Sequence, residues 1–209
     1  GLDVIADDGI DFVFNTPNDK SRPGYLKMGW QEVGRLPVAI KLASPAAALT
    51  VARSRVAASH WPIDIGVGEP AAVGLERLEF TSVADDVRSL VTSRSGAFMR
   101  WRYASPFLGY RVVEGGGQRC VARVRRRSQA TELVVLDGVE SDRAPAGAPA
   151  DVLSAAGATH ALRLGAPNLR SGFVAVPGGG PMLTFRSVQG GATPPIANWG
   201  LTMGDVELF

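Results

Sequence analysis

The stretch whose residue types and spacing could do chemistry is residues 11–34, DFVFNTPNDKSRPGYLKMGWQEVG. Asn18 is followed by Ser21 three residues on, Tyr25 seven on and Lys27 nine on, then by Gly29-Trp30 at eleven and twelve. A phenol such as that of Tyr25 can donate a hydrogen bond or release a proton, and an asparagine amide can hold a polar partner or a water. The same residues have plain structural uses. Tyr25 can cap a core with its hydroxyl in water, and Asn18 can simply make a turn.

Other chemically capable residues are scattered. His60 and His160 have no Cys, Asp or Glu at metal-ligand spacing, so no metal is expected. Cys120 is the one cysteine, which excludes an internal disulfide; it sits in an apolar-alternating stretch and reads as a small buried hydrophobe. Ser93, Ser95 or Ser154 could be drawn with a histidine as a hydrolase, but no Gly-x-Ser-x-Gly elbow is present. Asp85-Asp86 suits the first turn of a helix better than an acid/base pair. Arg123, Arg125, Arg126 and Arg127 read either as an anion patch or as the solvated end of a β-hairpin turning at Ser128-Gln129. No aromatic residues interleave with them, which favours the hairpin. With 22 basic against 20 acidic residues the net charge is +2, too small an excess to imply a nucleic-acid partner.

The elements that position these residues follow from composition and pattern. A chain of 209 residues, 45% hydrophobic and 20% charged, can bury a real core as one large or two small domains. That excludes a disordered chain, a collagen and a coiled coil. No apolar run reaches the length needed to span a bilayer, so no membrane partner is expected, and the lone cysteine suits a reducing cytoplasm. Residues 1–7 read as a helix end and 10–15 as a short buried strand. Residues 16–22 form a turn, and a short helix starts at Pro23 and stops at Gly29. Extended structure covers 30–41, a helix 44–56, a connector 62–70, a strand 75–80 and a helix 83–92. Residues 98–103 are helical or a turn. An antiparallel meander covers 110–114, 119–127 and 132–139, and 142–149 is a loop. A helix at 151–156, a strand at 160–164 and a helical turn at 167–171 follow. Residues 173–176 and 182–188 then form a hairpin across Gly178-Gly179-Gly180, and the tail with Trp199, Leu201 and Phe209 packs. Strands and helices alternate without a long βαβ rhythm, which predicts an α+β fold with a mixed sheet.

The ordered set Asn18, Ser21, Tyr25, Lys27, Gly29, Trp30, placed after an apolar strand, resembles the late part of the GNAT superfamily, the acyl-CoA-dependent N-acyltransferases. The resemblance covers about two dozen residues. It implies a GNAT-like α+β fold with a mixed, mainly antiparallel sheet flanked by helices, and acetyl-CoA as co-substrate. Tyr25 would lie beside the thioester sulfur and protonate the departing CoA thiolate. Asn18 would hydrogen-bond the pantetheine arm or a positioning water, and Ser21 would take the small-residue position that lets the cofactor approach. Lys27 would face solvent, and Trp30 would pack in the core. The acceptor would be a small-molecule or peptide amine that attacks the thioester directly.

The family's Gln/Arg-x-x-Gly-x-Gly/Ala pyrophosphate loop, which opens a helix, is not found: Gly115-Gly116-Gly117 and Gly178-Gly179-Gly180 both lead into strands. Residues 158–188 echo the first segment: a strand, Pro167-Asn168, a short helix, Gly172-Phe173 and another strand. Asn168 stands where the first copy has Tyr25. The plan resembles larger bacterial proteins of two GNAT-like halves, including a Trp101-Arg102-Tyr103, Pro106, Tyr110 element that shapes an acceptor cleft or simply packs. The expected organisation is the C-terminal portion of a catalytic GNAT domain at 1–42, a connector at 43–74, and a degenerate GNAT-like domain at 75–209 that lacks the tyrosine. The chain begins at Gly1 with no methionine, and the first half is expected to be truncated, so that the fragment is inactive alone. The alternatives are a non-catalytic GNAT-like binding module and, behind it, a small hydrolase.

Overall fold

A computed structural model of the chain describes residues 2–54, 66–78, 90–115, 118–139 and 150–206. The fold is α+β, with mainly antiparallel sheets flanked by short helices. Helix α1 (Leu2–Asp7) leads into β1 (Phe12–Asn15), α2 (Arg22–Lys27), β2 (Gln31–Arg35), β3 (Val38–Leu42) and α3 (Ala47–Arg53). Strand β4 (Glu69–Pro70) and α4 (Ala71–Gly74) precede a 3-10 turn at Leu75–Arg77, then α5 (Gly96–Tyr103) and a second 3-10 turn at Pro106–Leu108. The meander β5 (Arg111–Gly115), β6 (Gln118–Arg127) and β7 (Ala130–Gly138) follows. The chain continues through α6 (Ala150–Ala155), β8 (His160–Leu164), a 3-10 turn (Leu169–Ser171), β9 (Val174–Ala175), β10 (Met182–Ser187), a 3-10 turn (Ile196–Asn198) and α7 (Met203–Val206).

The strands form two sheets. The smaller has the order β1-β10-β2; the larger has the order β4-β5-β6-β7-β8-β3-β9. Every pairing is antiparallel except β7 with β8, where Glu132 to Val134 run parallel to His160 to Leu162. The β6–β7 hairpin closes on the pair Arg127 and Ala130 around Ser128-Gln129, with Ser128 in the left-handed region at φ 51°. The larger sheet buries both faces. On β7, Leu133 and Val135 join one apolar cluster with Val152, Leu153 and Phe173, while Val134 and Leu136 join the other with Leu75, Met99 and Trp199. An unbroken apolar run such as residues 133–136 suits a strand covered on both sides.

The sheet order shows a reciprocal exchange. Strand β3, which continues the chain from β2, lies between β8 and β9. Strand β10, which follows β9, lies between β1 and β2. The crossing is tight: a Cβ added at Gly180 would fall 1.6 Å from the Leu36 carbonyl oxygen, and Arg35 donates to the Gly180 carbonyl at 2.9 Å. Only glycine lets two backbones approach this closely.

Several sequence expectations change here. The extended run 30–41 is two strands in different sheets, divided at Leu36-Pro37, because proline supplies no N–H to continue a ladder. Residues 173–176 and 182–188 do not pair with each other; β9 bonds β3, and β10 bonds β1 and β2. The strand expected over 75–80 is a 3-10 turn at Leu75–Arg77, with Phe80 outside the described residues. The buried strand expected at 10–15 spans Phe12–Asn15, and its Phe14 ring is exposed. The arginine run is a hairpin, solvated only at its tip: Arg126 is exposed and Arg127 half-buried, whereas Arg123 is 1% exposed and Arg125 8%. The helix expected at 83–92 falls largely, with Asp85 and Asp86, outside the described residues. So do the loop at 142–149, residues 62–65 of the 62–70 connector, His60 and Phe209.

Candidate functional site

The segment from Asn18 to Trp30 bridges β1 and β2 on the outside of the smaller sheet. Its entry is an Asn-based turn: the Asn18 Oδ1 accepts from the backbone N–H of Lys20 at 3.0 Å and of Ser21 at 2.9 Å, and from the Ser21 hydroxyl at 3.2 Å. The Asn18 carbonyl accepts the Arg22 N–H at 2.9 Å, which starts α2 with Pro23 in its first turn. The Asn18 carbonyl groups are therefore engaged, which leaves the side-chain NH₂ to meet a ligand.

The end of α2 is a Schellman cap. Gly29 lies in the left-handed region at φ 84° and donates to the Leu26 carbonyl at 3.0 Å, and the Trp30 N–H donates to the Tyr25 carbonyl at 3.2 Å. The hydrophobic contact that accompanies such caps is made by the two rings, edge-on at 5.1 Å between centroids. Trp30 is therefore half-buried against Tyr25 rather than packed in the core, because the turn points it back along α2. Lys27 is exposed, as expected. Tyr25 is half-buried, and its hydroxyl makes no hydrogen bond to another described residue, so the phenol is available to a ligand. Arg22 ties the helix to β2 through Glu32 at 3.4 Å.

The second copy shares the left-handed glycine and the two closing hydrogen bonds but not the helix: Asn168 is extended, at φ −135° and ψ 95°, and bridges Phe173 in antiparallel fashion, where Tyr25 lies within α2. Gly172 lies at φ 78° and donates to the Leu169 carbonyl at 3.1 Å, and the Phe173 N–H donates to the Asn168 carbonyl at 2.9 Å. The Asn168 side chain accepts from Ser171 N–H, and Phe173 is fully buried beneath the Arg163 guanidinium at 4.8 Å.

Two buried polar clusters were not visible as such in the sequence. In the first, Arg94 binds Asp137 and Asp205 at 2.7 Å each and the Thr202 hydroxyl at 2.8 Å, and the Tyr103 hydroxyl donates to Asp137. Burial alone would lower the Arg94 pKa, but the two carboxylates outweigh it and raise it. Burial and the Asp137 charge push Tyr103 well above its usual value. In the second, Glu132 accepts from Arg125, lies 3.2 Å from His160 Nε2 and 3.4 Å from Arg127, and His160 Nδ1 meets the Thr159 hydroxyl at 3.1 Å. Burial acts to raise the Glu132 pKa. The His160 hydrogen bond and the Arg125 and Arg127 charges prevail and bring it to about 2. His160 is therefore not isolated, which corrects the sequence expectation. The hairpin turn at Ser128-Gln129 was the available signal, because it puts Arg125 opposite Glu132. Both clusters are ion-pair networks that fasten elements together: the first ties β7 to α5 and α7, and the second ties β6, β7 and β8.

Cys120 is buried, with its thiol pushed up to about 12, which fits an inert small hydrophobe. Ser95 caps α5 by accepting the Phe98 N–H at 3.2 Å, and none of Ser93, Ser95 and Ser154 bonds His160 among the described residues. Of the aromatic element, Tyr103 and Tyr110 are buried edge-to-face at 4.9 Å. Trp101 and Phe107 are 73% and 83% exposed beside an open concavity of about 650 Å³. Among the described residues no group of three His, Cys, Asp or Glu could hold a metal, and no helix is long and apolar enough to cross a membrane.

No protein-family model matches the chain, and no curated protein does. A GCN5-related N-acetyltransferase from Anabaena variabilis is a solved structure with which it shares 12% identity at a TM-score of 0.44. The similarity covers 90% of this chain and 48% of that one, so the chain spans about half of that protein's length.

Proposed function

We propose that this chain belongs to a GNAT-type N-acyltransferase that uses acetyl-CoA and an amine acceptor, with Tyr25 as the general acid. The observation that carries this reading is the Tyr25 phenol, held on α2 between β1 and β2 with its hydroxyl unengaged by the described residues. Acetyl-CoA supplies an acyl group already activated as a thioester. Tyr25 Oη gives its proton to the departing sulfur as a small-molecule or peptide amine attacks. The Asn18 NH₂ donates to the pantetheine arm, and Ser21 keeps the approach to α2 open. The organisation we propose is a catalytic half ending at residue 42, a connector at 43–74 and a degenerate half at 75–209, in a cytoplasmic protein. The paired turns at Gly29 and Gly172 and the exchange of β3 and β10 support two related halves.

The test is Tyr25→Phe in the complete protein, assayed with acetyl-CoA and a panel of primary amines. Turnover is expected to fall about a hundredfold, the low end for a general acid, with the KM for acetyl-CoA unchanged. Unchanged turnover removes Tyr25 as the acid. A non-catalytic GNAT-like module is the second reading. It is favoured by the engagement of Asn18 Oδ1 in its own turn. Binding of acetyl-CoA or a peptide without any turnover by the complete protein would establish that reading.

A further inference from the structure

Strand β10 belongs to the C-terminal repeat, yet it sits between the two strands that bracket α2. Two of its side chains, two residues apart and so on one face of the strand, reach the segment that carries Tyr25. The fully buried Thr184 hydroxyl donates to the Asn15 carbonyl at 3.1 Å, where β1 ends and the turn begins. The Arg186 guanidinium donates to the Met28 carbonyl, at the end of α2. Its Cζ lies 3.9 Å from where a Gly29 Cβ would stand, so the planar group covers the left-handed residue of the cap. The intervening Phe185 points the other way, into the core against Phe12 and Trp199.

The last carbonyls of a helix have no partner within it, and a cation there is doubly suited: it fills the vacant acceptor and complements the helix dipole. The Schellman bonds of Gly29 and Trp30 engage the Leu26 and Tyr25 carbonyls. The Met28 carbonyl is left to Arg186. Three elements, β1, α2 and β2, are therefore registered against one strand from the other repeat.

We infer that Arg186, assisted by Thr184, is a positioning residue for Tyr25: the exchanged strand holds both ends of the segment and so fixes where the phenol stands. A second half that lacks the phenol then has a defined part in the first half's site. The effect on turnover rests on the reading of Tyr25 as the acid. The hold on α2 does not, and it is measured separately.

Amide hydrogen exchange on the whole chain reads the hold directly at Met28, Gly29 and Trp30. In Arg186→Met these amides are expected to exchange about tenfold faster, the scale of one charge-assisted hydrogen bond, while β6 and β7 amides keep their rates. Arg186→Lys should restore most of the protection, since an ammonium can still reach one carbonyl. Unchanged exchange at these amides in Arg186→Met overturns the inference, as does an equal rise throughout β6 and β7. In the acyl-transfer assay Arg186→Met should lower kcat with the KM for acetyl-CoA unchanged, and should add little to Tyr25→Phe. A full additional loss in the Tyr25→Phe background overturns the positioning role. A wild-type protein without turnover overturns the acyltransferase reading instead, and the exchange rates still decide the hold.

Discussion

Asn168 and Tyr25 hold corresponding hydrogen-bonding positions in two glycine-aromatic turns, although Tyr25 is helical and Asn168 is extended at φ −135°. Each accepts, through its backbone carbonyl, the N–H of an aromatic residue five positions further on, Phe173 at 2.9 Å and Trp30 at 3.2 Å. The glycine between them is left-handed in both, at 78° and 84°. A tyrosine four before a glycine-aromatic pair is thus partly explained by helix termination alone, because such caps favour a contact between these two side chains. The cap does not explain the hydroxyl. Asn168 closes its turn with the same two hydrogen bonds and carries no hydroxyl, so the phenol of Tyr25 is the feature our proposal puts to use.

The cap makes a prediction at Gly29. A Cβ there would meet no atom closer than the 3.9 Å Arg186 Cζ, so Gly29→Ala costs only the left-handed backbone, about 1 kcal/mol. Gly29→Asn should cost less, since asparagine tolerates that region better. Chemical denaturation of the two variants against the parent chain measures both, and a loss much larger than this would mean that packing, not backbone, selects the glycine.

The loop before β10 separates space from conformation. Gly178 has φ 65° and nothing within 4 Å of a Cβ, whereas a Cβ at Gly180 would overlap the Leu36 carbonyl. Gly178→Ala is therefore expected to lose about 1 kcal/mol and keep the fold. Gly180→Ala must force the two crossing backbones apart, with a loss above about 3 kcal/mol or failure to fold. Equal stabilities in a thermal melt would contradict the close crossing.

Glu132 gives the chain an acid limb. Its folded pKa, about 2, lies below the ordinary 4.5, so the stabilisation it contributes is complete above pH 4.5 and is lost as the pH falls toward 2. Glu132→Gln should flatten this part of the stability–pH curve. At neutral pH it should also destabilise the protein by about 3 kcal/mol, because Arg125 and His160 lose a buried carboxylate. An unchanged acid limb in urea titrations from pH 2 to 5 would show that other carboxylates govern it.

Arg94 joins residues far apart in sequence, Asp137 on β7 and Asp205 on α7, at 2% side-chain exposure. Arg94→Leu leaves two carboxylates buried without their cation and is expected to cost about 3–5 kcal/mol. Arg94→Lys should recover only part, since one ammonium cannot match the planar fork that also serves Thr202 and the Thr92 carbonyl. Equal stability of Leu and Lys variants would show that the stem alone matters.

Much of the local structure was legible. Pro23 and Gly29 bounded α2, Ser128-Gln129 turned the β6–β7 hairpin, and Gly172-Phe173 echoed Gly29-Trp30, because each depends on the backbone preferences of a few consecutive residues. The exposed turn carrying Asn18, Ser21 and Tyr25 was found for the same reason. Legibility failed where strands chose partners. Two runs flanking three glycines look like a hairpin, yet β9 and β10 go to different sheets. The arginines of β6 look solvated, yet Arg125 faces Glu132, and Arg123 lies 5.7 Å from the Tyr110 ring, well inside.

By itself, the sequence determined the α+β character, the helix stop that presents Tyr25 and the likeness of the two turns. These are matters of dihedral preference, capping and apolar period, all read within about ten residues. Tertiary structure alone decided that β3 and β10 change places, that Arg186 reaches Met28 and that Arg94 gathers Asp137 and Asp205. A strand's ladder bonds are satisfied equally well by many neighbours. Only the close packing of both sheets, with no room for a side chain where Gly180 crosses Leu36, selects one arrangement.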